Sequence, residues 1–424
     1  MARLIYSVIF YLLVPFIFIR LILRGFKSPL YFQRWGERFG CLPDVLEFDR
    51  PLWVHAVSVG EFIAATPVIK RIQRKHPGLQ IVVTTMTPTG SERVRAALND
   101  QVLHFYMPYD LPHVMAKVVS KVNPCALVIM ETEIWPNLVH YSHKSGVPIL
   151  LANARMSERS AKGYSRFPNL IGQTLDKLTL VGAQNPADAE RLIDLGVEPK
   201  KTRVMGNVKF DLNIPASLRE QALAMRHQWG INRPVWIAAS THDGEDEAIL
   251  CVHRQVLKQI PDALLIVVPR HPERFEKVAT AITKEGFKMR RRTDTIDCTG
   301  EIEVFLGNTM GELMLFFSTS DVAFIGGSLI ASGGHNLLEP AALGVPTFFG
   351  PHMFNFSEVS RLILEAKGGK QIADAKALEG GIIEFLSDSS LRAEYGERSM
   401  QVVEKNKGAI EILVQEVDKY LDLR

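Results

Sequence analysis

From Leu52 onward the chain alternates short apolar runs with amphipathic stretches, and it does so twice. In the first half the runs fall at residues 52–57, 80–85, 125–130, 148–153 and 178–183, with helical spacing of apolar side chains at 62–75 and 111–121 between them. Short apolar runs bounded by turn residues read as buried strands. Strands alternating with helices predict a parallel, doubly wound α/β sheet. After Lys209-Phe210-Asp211 the chain passes through Asn213-Ile214-Pro215, read as a hinge, and the alternation restarts at 235–239, 263–268, 302–305, 321–325 and 345–349. A length of 424 residues accommodates two such domains. Two Rossmann-like halves are therefore predicted, each binding ligands beyond the carboxyl ends of its strands. Residues 409–423 carry an apolar stripe at helical spacing and are read as a last helix able to fold back on the first domain.

Before the alternation begins, Leu4 to Ile19 is an uncharged run, continued past Arg20 by Leu21-Ile22-Leu23. Sixteen helical residues span roughly 24 Å, against a hydrocarbon core of about 30 Å, so a span requires Arg20 to snorkel outward. No small-x-small cleavage site follows the run, which disfavours a signal peptide; the reading is membrane attachment through residues 1–27, either spanning or lying in one leaflet. Residues 1–40 hold Arg3, Arg20, Arg24, Lys27, Arg34 and Arg38 against Glu37, an excess of five in a chain whose net charge is +3. The basic residues thus form a collar around the apolar segment and place the bulk of the chain in the cytoplasm. Lys288, Arg290, Arg291 and Arg292 read as a solvated loop, and no nucleic-acid partner is indicated. The four cysteines (Cys41, Cys125, Cys251, Cys298) are scattered, without a C-x-x-C pair, and imply neither a disulfide framework nor a zinc site.

Candidate chemistry collects at the predicted strand ends. Ser58 and Glu61 have the S-x-x-E spacing of a capping box. Glu61 can equally be a general base, kept anionic by the helix start it occupies. Glu131 and Glu133 follow the 125–130 run; as alternate positions of an extended segment they share a side, and metal binding or a solvated loop both remain open. His140 and His143 are read as surface histidines. Lys209 lies at the domain junction, facing an anion or solvent. In the second half, Ser240–Glu245, Pro269-Arg270, Asn308–Glu312 and the glycine-flanked turn from Gly326 to Glu339 form four loops at strand ends. Arg270 offers a rigid fork of donors to phosphate or carboxylate. The glycine pairs permit close backbone approach, and a helix start near Asn336 offers amides to an anion. Asn336 with Glu339 also reads simply as a cap with its reciprocal partner. Together the four loops describe a nucleotide site.

Neither G-x-G-x-x-G nor G-x-x-x-x-G-K-[ST] occurs, which disfavours a nicotinamide dehydrogenase and a P-loop kinase. There is no G-x-S-x-G elbow, and no D-x-D pair. Several longer stretches, however, are distinctive: V-S-V-G-E at 57–61, T-T-M-T-P-T-G-S-E-R at 84–93, M-E-T-E-I-W-P-N at 130–137, N-A-R at 153–155, V-K-F-D at 208–211, P-R-H-P-E-R-F at 269–275, M-G-E-L-M at 310–314 and G-G-H-N-L-L-E at 333–339. In these the chain resembles the Kdo (3-deoxy-D-manno-octulosonic acid) transferases of lipid A biosynthesis.

The resemblance implies a GT-B fold, two Rossmann-like domains facing a central crevice with an N-terminal membrane-anchor helix. Its boundaries would be 1–27 for the anchor, 28–211 for the acceptor domain and 212–424 for the donor domain. It implies inverting transfer of Kdo from CMP-Kdo to a lipid A precursor of the lipid IVA type, on the cytoplasmic side of the inner membrane, with no metal and no cofactor. By the same resemblance Glu61 is the base, Glu131 and Lys209 stabilise the transition state, and Pro269, Arg270, Met310, Gly311, Glu312, Asn336, Leu337, Leu338 and Glu339 hold CMP. Two rivals are a GT-B transferase or epimerase using a UDP-sugar, and a membrane-tethered nucleotide-binding protein without turnover.

Overall fold

The computed structural model describes residues 1–43, 47–294 and 300–421, so Cys298 lies outside the described residues. The chain divides into two compact units, Met1–Asp211 with Lys407–Arg424, and Leu212–Asn406.

The first unit is built on seven parallel strands: β1 (Leu52–His55), β2 (Ile81–Thr85), β3 (Leu103–Tyr106), β4 (Ala126–Met130), β5 (Ile149–Ala154), β6 (Leu180–Ala183) and β7 (Thr202–Val204). They lie in the order β3-β2-β1-β4-β5-β6-β7. The second unit repeats the plan with β8 (Val235–Thr241), β9 (Leu264–Pro269), β10 (Met289–Arg291), β11 (Val304–Leu306), β12 (Val322–Ile325), β13 (Thr347–Phe349) and β14 (Gly369–Gln371), in the order β10-β11-β9-β8-β12-β13-β14. All ten apolar runs of the sequence are strands. Central strands buried on both faces read as continuous apolar runs, and successive side chains divide between the faces. Leu52 and Val54 join one core with the helix Val59–Lys75, while Trp53 joins the other with Val114, Val118 and Leu138.

In an open α/β sheet the ligand crevice lies where strand order reverses. In the first unit that point falls between β1 and β4, paired in register from Leu52↔Ala126 to His55↔Ile129. In the second it falls between β8 and β12, paired from Val322↔Trp236 to Ile325↔Ala239.

Two helices complete the first unit. The last, Ala409–Leu421, packs on Val59–Lys75 and buries Leu413, Val414, Val417 and Leu421, roughly 1.5–3 kcal/mol each. Asp211 accepts the amides of Gly408 (2.6 Å) and Ile410 (2.7 Å) where this helix begins. His76 (2.7 Å) and Lys75 both bond Asp418.

The N-terminal helix, Ala2–Lys27, is docked along its length on one stripe. Arg3 donates to Asn137 Oδ1 (2.8 Å), Tyr6 to Asp110 Oδ2 (3.0 Å), and Phe18 stacks on Phe39 at 4.7 Å. The opposite stripe, including Leu12, Phe16 and Leu23, is exposed and apolar. The basic collar is only partly a collar. Arg38 is buried, its guanidinium 4.2 Å from the Tyr106 ring centroid, and Arg34 pairs with Glu37 at 2.7 Å. These two arginines brace the fold, which leaves Arg20, Arg24 and Lys27 as the basic flank.

Candidate active site

Both strands beside the first reversal point end in carboxylates. After β1, Ser58 caps the helix Val59–Lys75, its Oγ accepting from the Glu61 amide at 3.2 Å. The Glu61 side chain turns back so that Oε2 accepts from the Val57 amide at 2.7 Å. This is the capping arrangement the spacing predicts, closed one residue earlier than in the standard box. Oε1 is left without a hydrogen bond among the described residues.

Glu61 does not behave as the helix start alone would dictate. It is 8% exposed, and burial raises its pKa to about 7, opposed by the Ser58 and Val57 bonds and reinforced by the charges of Glu133 and Glu131. Desolvation of the anion outweighs the stabilisation expected at a helix N-terminus.

After β4 the backbone does not stay extended. Glu131 takes φ +55°, a left-handed conformation rare for such a residue, so its nearness to Glu133 comes from a turn. Trp135 Nε1 donates to Glu133 Oε2 at 3.0 Å, and the Trp135 ring packs edge-on to His55 of β1, centroids 5.1 Å apart. That contact ties the two strand ends together. Burial raises the Glu133 carboxyl as well.

Lys209 reaches Glu131 Oε1 at 3.3 Å. It is placed by a run of amides that the sequence alone did not single out. Asn207 Oδ1 accepts from the Lys209 amide (3.0 Å), Asn207 Nδ2 donates to Gln184 Oε1 (3.0 Å), and Gln184 Nε2 donates to the Asn153 carbonyl (2.9 Å). Glu61, Glu131, Glu133 and Lys209 thus form one charged cluster at the mouth of the sheet. His140 is half-buried and His143 exposed on the helix Pro136–Lys144.

In the second unit the loops after β8 and β12 are locked by the last residue of the Ser240–Glu245 loop, in a role that the sequence did not reveal. Buried Glu245 accepts four backbone amides: His242 (3.0 Å), Gly327 (2.7 Å), Ser328 (3.2 Å) and Leu329 (3.1 Å). Gly326 allows the close approach, since a Cβ there would stand 2.5 Å from the Ser240 carbonyl oxygen. Its small size serves loop-to-loop packing.

Beside this clamp, His242 and His335 stack with their Nε2 atoms 2.8 Å apart, and His271 packs edge-on to His242. Burial, then the charges of Arg270 and the neighbouring imidazoles, lowers His335 to about 4. Glu339 is raised by burial, against the Asn336 bond and the Arg270 charge. Arg270, Asn336 and Glu339 are therefore brought together, with His242 and His335 added.

The remaining predicted contacts differ in kind. Pro269 closes β9, and the Leu337 and Leu338 side chains are buried in the core, so only their main chain can face a ligand. Asn336 Oδ1 already accepts the Leu338 amide (3.0 Å), and the helix beyond, Leu338–Ala342, is a single turn. The cap reading accounts for Asn336 and Glu339 in this form, their side chains bonding at 3.1 Å. Met310 is exposed, Gly311 sits at φ +85°, and Glu312 is held by Arg292 (2.8 Å) and Thr309 (2.5 Å). The arginine-rich stretch is no solvated loop: Met289–Arg291 is an edge strand, and Arg291 bonds Glu276 through both terminal nitrogens.

Comparison with known proteins fixes the family. The chain is 40% identical, over 100% of its length and 99% of the relative's, to the 3-deoxy-D-manno-octulosonic acid transferase of Haemophilus influenzae. This chain belongs to the Kdo transferase family. The family profile described as 3-Deoxy-D-manno-octulosonic-acid transferase (kdotransferase) matches residues 33–212. The Bordetella pertussis transferase of the same description is 33% identical over 93% of this chain and 92% of its own. In fold, the UDP-GlcNAc 2-epimerase of Neisseria meningitidis superposes with a TM-score of 0.59 at 14% identity, covering 87% of this chain and 99% of the epimerase. Two seven-stranded parallel sheets with such neighbours, preceded by an apolar helix, are a GT-B-type architecture. Among the described residues no group of three His, Cys, Asp or Glu side chains could hold a metal ion; the expectation of metal-free chemistry rests on the resemblance alone.

Proposed function

We propose that this Kdo transferase, a glycosyltransferase of lipopolysaccharide biosynthesis, moves Kdo from CMP-Kdo to a hydroxyl of a lipid A precursor, with Glu61 as general base. The acceptor oxygen attacks the anomeric carbon of Kdo from the face opposite the phosphate. Its proton passes to Glu61 Oε1, the bond to the phosphate oxygen breaks, and CMP departs with the electron pair. A buried carboxylate with a pKa near 7 carries this reading, because a base is most effective when its pKa lies near the working pH. Glu131 offers negative charge to the sugar carbon as it becomes cationic, and Lys209 fixes Glu131 in position.

In the second unit, Arg270 supplies a permanent charge to the nucleotide phosphate, with Asn336 and Glu339 available to ribose hydroxyls. His335, held neutral by burial and the neighbouring charges, can donate one N–H to a phosphate oxygen. Pro269, Met310–Glu312 and the main chain at Leu337 and Leu338 complete the wall. The exposed stripe of the N-terminal helix attaches the enzyme to the cytoplasmic face of the inner membrane, lying along the surface because its other stripe is occupied by the body of the first unit.

Incubation with CMP-Kdo and a lipid A precursor, followed by mass spectrometry, is expected to give free CMP and a Kdo-bearing lipid. Release of CMP without lipid product, or displacement of bound nucleotide by UMP as readily as by CMP, would contradict the assignment.

A further inference from the structure

Within the first unit a groove of about 830 Å³ opens between the N-terminal helix and the helices Glu158–Tyr164 and Pro168–Leu175. Ile5 and Ile9 form one wall; Tyr164 and Phe167, the latter 63% exposed, form the other. An open, exposed apolar cleft of this kind marks an interaction site, and two features say what enters it.

The first is continuity. Ile5 and Ile9 belong to the same helix whose outward stripe carries Leu12 and Phe16, and that helix has the length and hydropathy of a membrane segment. The groove is therefore a side channel of the lipid-facing surface. The second is where it leads. Ile134 also lines it, in the loop that carries Glu131 and Glu133, and the Tyr164 hydroxyl lies 3.5 Å from the Thr132 carbonyl oxygen between those carboxylates. Negative charge on Glu133 reaches the Tyr164 hydroxyl and adds to the rise in its pKa that burial causes. Arg166 stands among the lining residues as a cation for an anionic headgroup.

We propose that this groove receives an acyl chain of the lipid acceptor, drawn out of the membrane along the N-terminal helix so that the sugar it bears arrives beside the carboxylate cluster. The proposal rests on the acceptor being a lipid, as in the reaction above.

Gly163 gives a way to test it. It lines the groove one residue before the end of the helix Glu158–Tyr164, and a Cβ there meets nothing within 4 Å, so the side chain of Gly163→Trp starts in open space and is expected to fill the groove. Gly380, equally open in the second unit, provides Gly380→Trp as a control. Each full-length protein is assayed with the acylated acceptor and with its deacylated, water-soluble form. Gly163→Trp is expected to raise KM for the acylated acceptor about tenfold, the loss of roughly two buried methylenes, and to leave kcat and the KM of the deacylated form unchanged; Gly380→Trp should do neither. In parallel, an acceptor carrying a diazirine on one acyl chain should crosslink to residues 5–9 and 163–171. Equal effects on both acceptors, no effect on either, or crosslinks outside those segments would overturn the proposal. So would labelling of the groove by a diazirine phospholipid that the acceptor fails to displace. Crosslinking in the groove by a protein that transfers no Kdo would remove the proposed reaction and leave the acyl site standing.

Discussion

Glu61 carries an ionisation that can be measured in two independent ways. With a pKa of about 7, roughly a tenth of the side chains are anionic at pH 6 and about nine-tenths at pH 8. If Glu61 is the base, kcat/KM should rise through an acid limb centred near pH 7. Glu133→Gln should move that limb to lower pH, because the Glu133 charge is one of the causes that raise it. The same burial predicts a stability effect with a definite sign. The folded pKa lies above the ordinary 4.5, so folded and unfolded states bind the proton equally below about pH 4 and no penalty applies. As pH rises through 7 the buried anion is left poorly solvated. The full cost, at about 1.36 kcal/mol per pH unit, comes to roughly 3 kcal/mol. Glu61→Gln should therefore stabilise the protein by about that amount at pH 8.5 and by little at pH 4, read as the shift in denaturation midpoint. A stabilisation by Glu61→Gln no larger at pH 8.5 than at pH 4, together with an acid limb of the unaltered enzyme near 4.5, would refute the burial argument.

Three further outcomes follow from the geometry. Lys209→Ala removes the partner 3.3 Å from Glu131 and should lower kcat roughly 10–100-fold, the worth of one charged hydrogen bond, with donor binding unchanged by calorimetry. Arg270→Ala should weaken CMP binding by a similar factor while an unchanged melting temperature shows the fold intact. Gly326→Ala sets a Cβ against the backbone of Ser240 and Thr241, a clash expected to cost about 1–3 kcal/mol and visible as a lower melting temperature with weaker CMP binding.

The central strands were legible because a strand covered on both faces must be apolar throughout. The four strands that the sequence did not disclose, β3, β7, β10 and β14, are the four sheet edges. Each is three or four residues long, and Thr202–Val204 and Met289–Arg291 have no buried residue. Paired on one side and half-covered, they need no apolar run. The site divides in the same way. Glu61, Glu131 and Lys209 sit in motifs long enough to name, but their behaviour depends on contacts across the sheet. Glu61 loses its expected low pKa to burial, and Glu131 reaches its place through positive φ. Glu245 and the amide run Asn153, Gln184 and Asn207 were invisible as positioning groups, since their partners lie about 20 to 80 residues away in sequence. Arg34 and Arg38, counted as membrane-flanking charge, turn inward instead: Glu37 is their neighbour in sequence, but only tertiary structure places the Tyr106 ring against both guanidinium groups.

The most direct test of the proposed chemistry compares donor binding with transfer in Glu61→Gln at pH 8. If Glu61 accepts the acceptor's proton, CMP-Kdo affinity should stay within about twofold of the unaltered enzyme, while transfer to lipid falls by about 10²–10⁴-fold. Transfer at an undiminished rate, or donor affinity lost in step with activity, would contradict that role.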